Sequence, residues 1–158
     1  MDHHGHICLT DFGLSKQDMD KSSGALTFCG TAEYIAPELL KGVAYGVEVD
    51  WWSYGILIYE MINGRTPFYD KNKKLMYYRI MHNRPQFPSD LFTADAAEII
   101  LGLLTVDEKE RLGSNGADDI KKMAFFSDVN FDALMSRKVD APWMPQGNSV
   151  TGTSYVHM

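Results

Sequence analysis

Side chains able to do chemistry gather at three places in these 158 residues. The first is His3, His4, His6 and Cys8. In an extended strand His4, His6 and Cys8 would share one face, which is a pattern a metal could use. Zinc ligands usually come in pairs joined by a tight turn, however, and no second pair follows, so the run argues against a metal centre. The second place is Asp11 in D-F-G. Alone, that tripeptide says no more than a strand followed by a turn at Gly13. The third is the run T-F-C-G-T-A-E-Y-I-A-P-E at 27–38, rich in hydroxyls and carboxylates, together with Asp50, Ser53 and Glu60 a little further on.

Those last three residues interrupt the stretch that must position everything else, E-V-D-W-W-S-Y-G-I-L-I-Y-E-M-I-N-G from Glu48 to Gly64. Its apolar residues fall on every side of a 3.6-residue wheel, which predicts a hub helix enclosed by other elements. Asn63-Gly64 supplies a left-handed stop with Pro67 beyond it, giving a helix of about 16 residues, or roughly 24 Å. That is too short to span a membrane. Periodicity alone leaves open that it is one core helix of an ordinary all-α domain.

Around it, Ile7-Cys8-Leu9-Thr10 reads as a short strand, and the polar, aperiodic residues 15–26 as a loop. Pro37 suits the first turn of a helix running to about Lys41. Asn72 to His82 predicts a helix with Leu75, Tyr78 and Met81 on one face. Thr93 caps another, with Ala97, Ile100, Leu101 and Leu104 on one face. Ala117 to Ala124 predicts a last short helix, and apolar content falls from Ser127 onward.

The composition, 45% apolar and 23% charged, is that of one soluble domain with a real core. A net charge of −6 disfavours a nucleic-acid surface and is compatible with a basic protein or peptide substrate. Cys8 and Cys29 form no C-x-x-C pair and no signal peptide precedes them, so reduced thiols in a cytoplasmic or nuclear setting are expected.

The order D-F-G, polar loop, A-P-E, D-x-W-S-x-G is the downstream half of the protein-kinase signature set. The chain resembles the AGC group of serine/threonine protein kinases. The resemblance is carried by T-F-C-G-T-A-E-Y-I-A-P-E at 27–38, V-D-W-W-S-Y-G-I-L-I-Y-E-M at 49–61 and G-R-T-P-F-Y at 64–69. It continues through F-P at 87–88, L-L-T-V-D-E-K-E-R-L-G at 103–113 and F-F at 125–126, to about Pro145. It implies a mainly α fold, the helical C-lobe of the kinase, with at most a short strand at the N-terminus. Residues 1–126 would form a partial kinase domain and 127–158 a partial AGC tail.

By that resemblance Asp11 is the magnesium-binding aspartate of a Mg-ATP site. Thr27 is the activation-loop phosphosite, modified by an upstream kinase, with Lys16 as a partner for its phosphate. Gly30, Thr31, Glu33 and Tyr34 belong to the platform that receives protein substrate, and Thr31 is the type expected for serine/threonine specificity. Glu60 pairs with a substrate arginine in basic-directed members. Glu38 and Arg111 form a structural ion pair, and Asp50 braces the catalytic loop. Ala32 and Glu108 depart from the family pattern, which has Pro at both places.

The sequence contains no G-x-G-x-x-G and no H-R-D, so the phosphate-covering loop and the catalytic base are not among these residues. Two expectations follow. The chain is the C-terminal half of a kinase that transfers the γ-phosphate of Mg-ATP to serine or threonine and is inactive by itself. Alternatively, it is a genuine short product acting as a non-catalytic binding module that presents the substrate platform.

Overall fold

The structure, a computed structural model, describes residues 1–2, 4–15 and 30–144. The chain divides into two units, one of Leu14–Asp128 and one joining Met1–Gly13 to Val129–Met158. Among the described residues all regular structure is helical.

The larger unit carries helices α1 (Pro37–Lys41), α2 (Glu48–Asn63), α3 (Lys73–His82), α4 (Ala94–Leu103) and α5 (Ala117–Lys121). Pro37 opens α1, where its missing N–H costs nothing. The stop of α2 is Gly64, left-handed at φ 76°, whose N–H bonds back to the Glu60 carbonyl at 2.8 Å. Side-chain caps start the next two helices: Asn72 Oδ1 accepts from the Lys74 N–H at 3.0 Å, and Thr93 Oγ1 from the Ala96 N–H at 3.2 Å.

The core forms where α2 meets α4 and the segments flanking α3. Trp52, Ile56 and Tyr59 of α2 are buried with Phe68, Met76, Ile80, Phe92, Ile99, Ile100 and Leu103. Trp52 stacks on Phe68 with ring centroids 5.9 Å apart, and Tyr59 lies 4.9 Å from Phe92. The Tyr59 hydroxyl donates to the Gln86 carbonyl at 2.8 Å, so the ring is buried without stranding its polar end.

Four expectations about this larger unit need correction. The hub helix is not enclosed on all sides: Leu57 is 41% and Met61 69% exposed. In α3 the buried residues are Met76 and Ile80, while Leu75 and Tyr78 face solvent. The helix carries apolar residues in two stripes, and packing on the core selects the i, i+4 pair. In α4 Ile100 and the Leu104 that follows the helix are buried as expected, but Ala96, Ile99 and Leu103 are buried with them in place of Ala97 and Leu101, of which Leu101 is exposed. Finally, α5 stops at Lys121 and a 3-10 turn, Ala124–Phe126, follows. Leaving the helix lets Met123, Phe125 and Phe126 pack against the core.

In the smaller unit, Asp2 Oδ1 accepts from the backbone N–H groups of His4 and His6 at 3.0 and 2.9 Å, fixing a turn. Arg137 approaches the Asp2 carboxylate at 3.5 Å. Helix α6 (Phe131–Met135) is capped by Asn130, whose Oδ1 accepts from the Ala133 N–H at 2.9 Å. Residues Ile7–Thr10 are not a strand; Ile7 and Leu9 are exposed. A strand requires a paired neighbour, and no ladder forms here among the described residues.

Candidate functional site

The polar residues of α2 share one face. Asp50, Ser53 and Glu60 sit at i, i+3 and i+10, so they line one side of a helix whose opposite side is core. On that face lies the 3-10 turn Ala32–Tyr34, closed by the Tyr34 N–H to the Thr31 carbonyl at 3.0 Å. Ser53 Oγ donates to the Tyr34 carbonyl at 3.1 Å, and the Tyr34 hydroxyl bonds to Glu60 Oε2. Thr66, in the segment after α2, donates its hydroxyl to Glu33 Oε2 at 2.7 Å. The turn is thereby tied to the helix at two points and to the segment after it at a third.

The electrostatics follow from that packing. Burial, then the hydrogen bond to Glu60 and the charges of Glu60 and Glu33, push the Tyr34 phenol from 10.0 up to about 12. The phenol is therefore a donor to Glu60 at neutral pH. Burial also pushes the Asp50 carboxyl up. Glu33 and Glu60 line a cavity of about 150 Å³ with Gly64, Arg65, Thr66 and Tyr69. A second cavity of about 310 Å³ has Thr31, Tyr34, Asp50 and Ser53 on its polar side and Ile35, Leu39 and Val49 among its apolar lining.

Beneath this face α1 is bolted to the later segments by Arg111. Its Nη1 and Nη2 donate to Glu38 Oε1 and Oε2 at 2.7 and 2.9 Å, a two-point fork. Nη1 also donates to the Glu48 carbonyl at 2.8 Å, and Nε to the Thr105 carbonyl at 3.0 Å. The guanidinium stands 5.3 Å from the centre of the Trp52 ring. Both charged side chains are buried, Glu38 2% and Arg111 1% exposed, so each needs the other.

The model of the protein kinase domain matches residues 1–126. The chain belongs to the protein kinase family. Within it, the chain is of the AGC serine/threonine type. It is 46% identical over 154 residues to the serine/threonine-protein kinase gad8 of Schizosaccharomyces pombe, covering 98% of this chain and 27% of that protein. Similarity to YPK1 of Saccharomyces cerevisiae is 44% over 154 residues, covering 98% and 22%. The RAC serine/threonine-protein kinase of Drosophila melanogaster is 42% identical over 158 residues, covering 98% and 26%. The kinase chain thus spans about a quarter of the length of these relatives.

Of the residues singled out in the sequence, the structure brings together Glu33, Tyr34 and Glu60, and separately Glu38 and Arg111. Gly30, at φ 111°, and Thr31 lead into the turn, and Thr31 is exposed. Thr27 and Lys16 lie outside the described residues. Asp11 is exposed, left-handed at φ 60°, and followed by a 3-10 turn, Phe12–Leu14. A short polar side chain tolerates that backbone better than most, and such positions cluster at functional sites.

Among the described residues no group of three or more His, Cys, Asp or Glu could hold a metal ion. Asp11 does supply one hard oxygen donor, which fits magnesium, an ion that keeps several waters and takes few protein ligands beside substrate phosphates. Sequence reasoning gave no roles to Thr66, Arg65 and Tyr69, although all three lie in the G-R-T-P-F-Y run. Nor did it find the Glu48 and Thr105 carbonyls that hold Arg111, because any residue type supplies a carbonyl. No helix among the described residues is long and apolar enough to cross a membrane.

Proposed function

We propose that this chain provides the substrate platform of a kinase that transfers the γ-phosphate of Mg-ATP to serine or threonine of proteins in a basic sequence context. The observation that carries the reading is the tie between the turn and the hub helix. Tyr34 on Glu60 and Thr66 on Glu33 hold two carboxylates at one cavity, shaped to receive a guanidinium with charge-assisted hydrogen bonds. Gly30 and Thr31 lead into the same turn and would receive the residues beside the acceptor hydroxyl. Asp50 would brace a catalytic loop along the larger cavity, and Asp11 would hold magnesium, which supplies charge neutralisation on the phosphates. Thr27, phosphorylated by an upstream kinase, would order its segment, with Lys16 pairing to the phosphate. The free thiol of Cys8 supports a cytoplasmic or nuclear setting.

Catalysis is a separate matter from binding. Phosphoryl transfer rests on positioning nucleotide and acceptor together, and these 158 residues contain neither a G-x-G-x-x-G loop nor an H-R-D base. The chain alone is therefore expected to bind substrate without turnover, which is also what the reading as a non-catalytic module requires. The test incubates purified chain with radiolabelled ATP, magnesium and an arginine-rich serine peptide, beside an Asp11→Ala control. No labelling is expected, and labelling should appear once a segment carrying H-R-D and G-x-G-x-x-G is joined upstream. Labelling by the chain alone that disappears in the control overturns the inactivity. Failure of the joined protein overturns the kinase role of this chain.

A further inference from the structure

The cavity at Glu33 and Glu60 contains a cation of its own. Arg65 lines it, with its guanidinium 5.8 Å from the centre of the Tyr69 ring, another lining residue. Stacking on an aromatic face holds a guanidinium in place without consuming a carboxylate. The Thr66 and Tyr34 hydroxyls each bond to one oxygen of Glu33 and Glu60. A carboxylate has about four lone-pair sites, so both retain capacity for a further donor. Two carboxylates thus face a single resident guanidinium in a space of about 150 Å³.

We propose that Arg65 is a specificity-determining residue that sets the number of cations this cavity accepts. With Arg65 on Tyr69, one formal negative charge remains uncompensated, and the cavity takes one guanidinium or ammonium of a substrate. A second adjacent cation would set three cations against two carboxylates, and so meets net like charge in the cavity. The favoured substrate presents an isolated basic residue to this cavity rather than an adjacent pair. This inference rests on the reading of the cavity as a substrate site.

The experiment measures fluorescence anisotropy of two labelled alanine-rich serine peptides, one with a single arginine and one with two adjacent arginines before the serine. Each is titrated with the full 158-residue chain at low and high salt. Removing an exposed like charge in Arg65→Ala is expected to tighten the two-arginine peptide by about threefold and to leave the single-arginine peptide nearly unchanged. The gain should shrink at high salt. Arg65→Lys, which keeps the charge, should keep the wild-type preference, whereas a purely structural Arg65 would lose it there too. If Glu60→Gln weakens both peptides but Arg65→Ala leaves their ratio at the wild-type value, the role of Arg65 is overturned. If neither Glu33→Gln nor Glu60→Gln changes binding, or the wild-type chain binds neither peptide, the cavity is not the substrate site and both readings fall together.

Discussion

At the scale of single residues, Arg111 has the most to lose. Four of its donor bonds go to Glu38, Glu48 and Thr105, and it covers the Trp52 ring in a buried site. Desolvation offsets much of the Coulomb attraction in such a pair, so its presence is better explained by geometry than by net stability. Removing one partner leaves the other charge buried and uncompensated. Glu38→Ala or Arg111→Ala should therefore lower unfolding free energy by about 3–5 kcal/mol in urea titrations. A loss of less than about 1 kcal/mol would mean the remaining charge finds water. Tyr34 makes a prediction in pH. The folded chain holds the phenol proton more tightly than the unfolded chain, so its contribution is whole below pH 10.0 and is lost as pH rises towards about 12. Across that interval the wild type should lose more stability than Tyr34→Phe, as read from urea midpoints of the two proteins. Parallel pH curves would remove Tyr34–Glu60 as a stabilising tie.

At the scale of elements, the contact between α2 and α4 depends on one position. A Cβ added at Gly55 would lie 2.8 Å from Leu103 Cβ and 2.9 Å from Leu104 Cδ2. Helix propensity alone favours Gly55→Ala by about 1 kcal/mol. Overpacking at a helix-to-helix contact costs about 1–3 kcal/mol, and Leu103 Cβ belongs to a backbone that must move with it. The variant is expected to be less stable than wild type in thermal melts, against its propensity. A raised melting temperature would show that α4 can move away without loss.

At the scale of the whole molecule, Leu57 and Met61 lie one turn apart on α2 and are open to solvent. Exposed apolar surface promotes association once it reaches a few hundred Å². The chain is expected to bind a hydrophobic dye and to sediment faster as concentration rises, and Leu57→Glu with Met61→Glu should reduce both effects. A monodisperse monomer with a cooperative melt and no dye binding would contradict this.

The sequence by itself determined the helix at Glu48–Asn63 and the start of α1, because local chemistry encodes them: Asn63-Gly64 allows a left-handed stop, and Pro37 suits a first turn. The motif order likewise determined the family, since T-F-C-G-T-A-E-Y-I-A-P-E and the following D-W-W-S-Y-G need no fold to be read. Which stripe of α3 and α4 is buried was decided only by tertiary structure. Leu75 and Met76, or Leu101 and Leu103, are equally apolar, and burial depends on what packs beside them. The strand expected at Ile7–Thr10 failed for the same reason, since pairing is a property of two segments and not of one. The site divides along this line too. Glu33, Tyr34, Glu60, Glu38 and Arg111 were legible as side chains in motifs. Thr66 on Glu33 and the Glu48 carbonyl beneath Arg111 exist only as distances between segments far apart in the chain, while Arg65 on Tyr69 and the Thr105 carbonyl on Arg111 are short-range contacts set by the fold of their loops rather than by residue type.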